Sequence, residues 1–193
     1  MHSLVIFASG RGSNAQAIID YFKKAGGANV TLIVSNKESA GVLDIARAEN
    51  IPFLIVDKQA FNDHSLVEKI AQYKPSLIVL AGFLWKIPNS LVTAFSNQII
   101  NIHPALLPMY GGKGMYGNHV HQAVLADGKR ESGISIHYVN EAYDEGSLIL
   151  QAHCIVNAED TVENLADRIH RLEHFFYPNT IAFLLSQFPE KLD

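Results

Sequence analysis

Apolar residues come in short unbroken runs at 4–8, 30–34, 53–56 and 76–80, each rich in Val, Ile, Leu or Phe. None shows the polar alternation of a half-exposed strand, so each predicts a strand covered on both faces, as in a parallel sheet. Between these runs, segments 14–25, 40–50 and 60–73 repeat apolar positions every three or four places, with Leu43 and Ala46, then Leu66, Val67 and Ile70, marking the inner stripes. That spacing predicts helices. Pro52 and Pro75 follow the second and third of them, where a helix cannot easily continue. Strand and helix in alternation predict an α/β fold, a Rossmann-like and mostly parallel twisted sheet with flanking helices.

From residue 98 the pattern changes. A fifth strand is expected at 98–102, followed by a long loop with glycines at 111, 112, 114 and 117, then a helix at 118–126. Loops of that length in compact domains usually carry function or lack order. Two further strands, at 133–139 and 147–156, add antiparallel members to the C-terminal half of the sheet. A helix over 161–187 closes the chain, with Asp160 or Thr161 as N-cap and Glu163 or Asn164 in its first turn. With no repeat or low-complexity linker, residues 1–193 read as a single domain.

Composition narrows the class. At 48% hydrophobic and 18% charged residues, the chain has enough apolar surface for a core and too little charge for disorder. A formal charge of −4 lacks the basic excess that a general nucleic-acid binder needs, although a small anion site stays open. The single cysteine, Cys154, offers no internal disulfide and no Cys-rich metal framework, so a reducing cytoplasm is expected. The apolar run 4–8 is too short for a signal segment or a membrane span, so no membrane partner is expected.

Four features could carry chemistry. The first strand runs into Ser9-Gly10-Arg11-Gly12-Ser13-Asn14-Ala15, a glycine-bearing turn that opens a helix and so suits a phosphate. A dinucleotide would also want an acidic residue after the second strand, where Ser35-Asn36 stands instead. In Asn101-Ile102-His103, alternation puts an amide and an imidazole on one side of a strand end, a pair suited to a developing oxyanion or simply to a capped turn. Asp144, in the polar connection between the last two strands, is either a turn aspartate or a carboxylate partner for a histidine. His170-Arg171-Leu172-Glu173-His174 matches a short zinc-peptidase pattern with no third ligand in view, and no metal is expected. His119 and His121 fall on opposite sides of a helix start and read as solvated, while Cys154 reads as an inert core thiol.

Taken together, several of these segments resemble one family. Gly10-Arg11-Gly12-Ser13-Asn14-Ala15-Gln16, Leu80-Ala81-Gly82-Phe83, Asn101-Ile102-His103-Pro104-Ala105-Leu106-Leu107-Pro108, Gly133-Ile134-Ser135-Ile136-His137 and Asp144-Glu145-Gly146 stand in the order found in phosphoribosylglycinamide formyltransferases, folate-dependent enzymes of purine synthesis. The likeness extends through Glu173-His174 and Tyr177-Pro178. Methionyl-tRNA formyltransferases and formyltetrahydrofolate hydrolases share the middle of the pattern but carry an added domain, and a length of 193 residues fits the glycinamide branch.

The resemblance implies formyl transfer from 10-formyltetrahydrofolate, a co-substrate, to the amine of glycinamide ribonucleotide. Asn101 and His103 would then serve the oxyanion, and Asp144 would keep His103 protonated and help place water. Gly12, Ser13 and Asn14 would hold the phosphate and Glu173 the glycinamide substrate, giving a ribonucleotide half at about 1–100 and a folate and catalytic half at 101–193. The pterin would lie against Leu84, Trp85, Lys86 and Ile87 and the loop Asn140, Glu141, Ala142, Tyr143 and Asp144. His64 stands where the family commonly has an arginine near the folate, and Trp85-Lys86 replaces a methionine-arginine pair. Segment 111–121 is longer than usual in the family and is either a lid or a surface loop. A homodimer is left open, as are two alternative activities: hydrolysis of 10-formyltetrahydrofolate, and folate or phosphate binding without turnover.

Overall fold

The computed structural model describes residues 1–187. Among these residues, seven strands form one sheet in the order β3-β2-β1-β4-β5-β6-β7. The strands are β1 (His2–Phe7), β2 (Ala28–Ser35), β3 (Phe53–Ile55), β4 (Leu77–Leu80), β5 (Ile99–His103), β6 (Glu131–Tyr138) and β7 (Leu148–Ile155). The first five run parallel; β6 is antiparallel to β5, and β7 to β6. The helices are α1 (Ser13–Ala25), α2 (Val42–Ala48), α3 (Lys58–Asn62), α4 (Ser65–Ala71), α5 (Asn89–Ala94), α6 (Asn118–Ala126) and α7 (Val162–Ser186).

Strand alternation divides the core in two. Leu4, Ile6 and Ala8 pack with α1, α2, α6 and α7 on one face, through Ile18, Phe22, Leu43, Val124, Leu165 and Tyr177. Val5 and Phe7 pack with α3, α4 and α5 on the other, through Phe61, Leu66, Ile70 and Leu91. These side chains are almost wholly buried, and each Leu, Ile or Phe among them contributes about 1.5–3 kcal/mol through area removed from water.

Two local details depart from the sequence-based expectation. The helix expected over 60–73 is two helices, broken where Asp63 turns extended and its Oδ1 accepts the Ser65 N–H at 2.7 Å. An acidic side chain that bonds its own backbone two residues on competes with the helical ladder, which explains the break. Helix α5 was not expected at all, because six residues after Pro88 are too few for a periodic signal. At the start of α7, Thr161 and Asn164 form a reciprocal capping box, while Asp160 is drawn off to Arg168.

The strand order sets where a ligand can lie. From β1 the chain goes outward to β2 and later returns on the other side to β4, so the carboxyl ends of β1 and β4 part around a crevice. The phenol of Tyr177 donates to the carbonyls of Leu80 and Ile100, fastening α7 beneath the ends of β4 and β5. Among the described residues no helix is long and apolar enough to cross a membrane.

Candidate active site

A cleft of about 690 Å³ opens over the carboxyl ends of β1, β4 and β5. One end is the turn from β1 into α1. Gly12 has φ +84, and a Cβ there would meet Val42 Cβ at 2.8 Å, so only glycine fits between this turn and α2. Helix α1 starts immediately afterwards with no side-chain cap and no acidic residue in its first turn, leaving its N–H groups and positive end turned to the cleft. Beside them, Asn14 Nδ2 donates to Glu173 Oε2 at 3.0 Å, while Asn14 Oδ1 is buried without a partner. Burial raises the Glu173 carboxyl from 4.5 to about 7, against the bond from Asn14.

The other end is built from β5, β6 and the connection after β6. Asn101 sits opposite His137 in the β5–β6 pairing, and Asn101 Nδ2 lies 3.2 Å from His137 Nε2 and 3.5 Å from Asp144 Oδ1. Asp144 Oδ2 accepts the Gly112 N–H at 2.9 Å and stands 3.6 Å from His103 Nδ1. The other nitrogen of His103, Nε2, is 2.7 Å from the carbonyl of Tyr110. Because that carbonyl can only accept, the Nε2 carries the hydrogen. The chain after β5 is held by a buried hydroxyl: Ser135 Oγ donates to Ala105 O and accepts the Leu107 N–H, with Gln151 Nε2 bonding both Ser135 and Leu107 O.

The electrostatics bear on the expected role of Asp144. Burial lowers the His103 pKa, and although Asp144 and the Tyr110 carbonyl pull it upward, the net position is below the ordinary 6.5. Asp144 thus favours the protonated ring, as expected, but burial outweighs it. Asp144 itself feels burial upward, yet the adjacent His137 ring, the bond from the Gly112 N–H and the nearby His103 carry it below its ordinary 3.8. The site thus pairs an ionised carboxylate with a neutral imidazole.

A family model described as formyl transferase matches residues 2–181. The chain belongs to the formyl transferase family. Relatives include the chloroplastic phosphoribosylglycinamide formyltransferase of Arabidopsis thaliana, 40% identical over 95% of this chain. The chain spans 65% of that relative's length and 61% of the Vigna unguiculata one. The phosphoribosylglycinamide formyltransferase of Bacillus subtilis is 36% identical, with 96% of this chain and 95% of that protein covered. Among solved structures, glycinamide ribonucleotide transformylase 1 from Symbiobacterium toebii superposes with a TM-score of 0.88 at 33% identity, covering 96% and 88% of the two chains.

In this member of the family, the cleft brings together most residues singled out by sequence. Gly12, Ser13, Asn14, Glu173, Asn101, His103 and Asp144 line it, as do Leu84, Trp85, Lys86, Ile87, Asn140, Ala142 and Tyr143. His64 and Glu141 are not among its lining residues; His64 caps α4 and Glu141 is exposed. The segment expected as lid or loop contributes Lys113, Met115, Tyr116 and Asn118 to the wall, and Gly112 ties it to Asp144. Sequence reasoning missed the parts played by His121, His137 and His170, which also line the cleft. His121 is buried rather than solvated, since α6 turns it inward with Val120 and Val124; burial, with His170 and His103 nearby, lowers its pKa to about 4. The zinc-like spacing at 170–174 resolves differently, with Glu173 bonded to Asn14 and the rings of His170 and His174 stacked at 6.2 Å.

Glu173 makes a stability prediction. A carboxyl whose folded pKa is near 7 against 4.5 unfolded binds more protons when folded, so stability falls as pH rises between those values. The cost at pH 8 is of the order of 3 kcal/mol. Glu173→Gln keeps an oxygen for Asn14 and removes the charge, so it should melt several degrees above the wild type at pH 8 and alike near pH 4. Thermal melts across that range check it.

Proposed function

We propose that this chain transfers the formyl group of 10-formyltetrahydrofolate to the amine of glycinamide ribonucleotide, in purine synthesis. The observation that carries this reading is a single cleft with an open helix N-terminus at one end and Asn101, His103 and Asp144 gathered at the other. Such a cleft suits one substrate anchored by its phosphate and another carrying an acyl carbon. The Arabidopsis and Bacillus relatives, both phosphoribosylglycinamide formyltransferases, support it.

In this mechanism the phosphate rests on the backbone of Gly12, Ser13 and Asn14, and Glu173 bonds the ribonucleotide beyond it. The pterin lies along Leu84 to Ile87 and Asn140 to Asp144. The amine nitrogen attacks the formyl carbon, forming a C–N bond and placing negative charge on the former carbonyl oxygen. Asn101 donates to that oxygen, which is worth most in a site closed to water. A proton leaves the amine for Nδ1 of His103, where the Asp144 carboxylate meets the new positive charge. The carbonyl then re-forms as the bond from carbon to N10 breaks, N10 takes the proton held on His103, and tetrahydrofolate and the formylated amide leave.

The test follows loss of 10-formyltetrahydrofolate with and without glycinamide ribonucleotide. Turnover that depends on the ribonucleotide is expected. Equal turnover in its absence would make the protein a hydrolase, and saturable binding without turnover would make it a binding protein; either result overturns the reading.

A further inference from the structure

We propose that His137 is the positioning residue that decides which atoms of the Asn101 amide face the cleft. Only the use to which that amide is put rests on the transfer reading above. His137 is 2% exposed and lies directly across the β5–β6 pair from Asn101. Its Nδ1 is 2.9 Å from the carbonyl of Tyr138, so Nδ1 carries the ring hydrogen. In the neutral ring Nε2 is then an acceptor, and the group 3.2 Å from it is Asn101 Nδ2.

One amide hydrogen of Asn101 is therefore fixed on His137. Because the amide is planar, the direction of the second is fixed as well. It points to Asp144 Oδ1 at 3.5 Å, the outer limit for a hydrogen bond, so a substrate oxygen at ordinary distance displaces it easily. Turned over, the same amide would aim its oxygen lone pairs at the carboxylate and at a developing oxyanion, repelling both. Strand pairing brings Asn101 to the cleft, and His137 selects its donor face.

Two other polar groups face the same ring among the described residues: Asp144, from the connection after β6, with Oδ1 3.6 Å from His137 Nε2, and His103, from the end of β5.

Two variants separate this role from packing. In His137→Gln the side-chain oxygen can still accept from Asn101 but cannot titrate, whereas His137→Leu has no acceptor. The readouts are the 15N–1H signals of the Asn101 side chain, assigned by their loss in Asn101→Asp, together with kcat and KM for formyl transfer. Wild type and His137→Gln should show a hydrogen-bonded amide pair, and His137→Leu a free one. The leucine variant should lose roughly 10²-fold in kcat with KM little changed, while the glutamine variant keeps most of its turnover. Amide signals in His137→Leu that overlay the wild type, or a glutamine variant as impaired as the leucine one, overturn the proposal. If the wild type itself transfers no formyl group, the function reading fails and the amide signals alone decide this one. Should His137→Leu not fold, the amide signals and turnover of His137→Gln against the wild type make the same decision.

Discussion

Asn101→Ala lowers kcat roughly 10²- to 10³-fold in a folded protein, the scale for loss of one oxyanion donor. Asn101 is only partly buried, so removing its amide leaves the β5–β6 pairing intact and opens no large cavity. The loss is of a hydrogen bond made mainly when charge develops, so kcat falls while KM moves little. His103→Ala should cost a similar factor for a different reason, since it removes the acceptor for the amine's proton. His103 is also nearly buried and bonded to the Tyr110 carbonyl, so this variant should in addition melt below the wild type. The two side chains serve one step, so the double variant should lose less than the product of the single losses. Steady-state kinetics on the three purified variants check this, and near-normal turnover in both single variants would remove the pair from the chemistry.

Much of this was legible in the chain, and the exceptions have physical reasons. Runs such as 4–8 and 76–80 announce buried parallel strands because both faces are covered, which leaves no polar alternation to confuse the reading. Asn101 and His103 could be paired from alternation alone. Asp144 could not, because a loop residue 43 positions away is brought to Asn101 by the strand pairing of β5 with β6, a long-range event. His121 was misjudged because periodicity gives relative sides of a helix and not which side the core occupies; His119 is indeed exposed and His121 buried. His137 carried no signal as a polar residue in an apolar strand until its partner across the sheet was known.

The buried polar groups share a logic. Burial lowers His103 and His121 and raises Glu173, in each case toward the neutral form, whereas Asp144 is carried the other way by donors that surround its carboxylate. With these neighbours kept neutral, the Asp144 carboxylate is the charge that stands beside Asn101 and His103. Such an arrangement costs stability, as unpaired Asn14 Oδ1 and His121 Nδ1 indicate, and it leaves polar atoms for a substrate to satisfy.

Asp144→Asn tests that charge with the least disturbance of shape. Asp144 has φ 55, in the left-handed region that asparagine tolerates and alanine does not, and an asparagine oxygen can still accept the Gly112 N–H. What disappears is the negative charge beside His103. The plateau rate should fall roughly 10²-fold or more, because the imidazolium formed on taking the amine's proton is no longer stabilised. The pH profile should move as well. Neutral His103 is the active form, so kcat/KM declines as pH falls through its pKa, which lies below 6.5. The Asp144 charge raises that pKa, so its removal lowers the pKa further and shifts the acidic limb to lower pH. Rate profiles of the wild type and Asp144→Asn over the acidic range decide the matter: a lower plateau with an unmoved limb would mean that Asp144 positions the loop through Gly112 and does not act on His103.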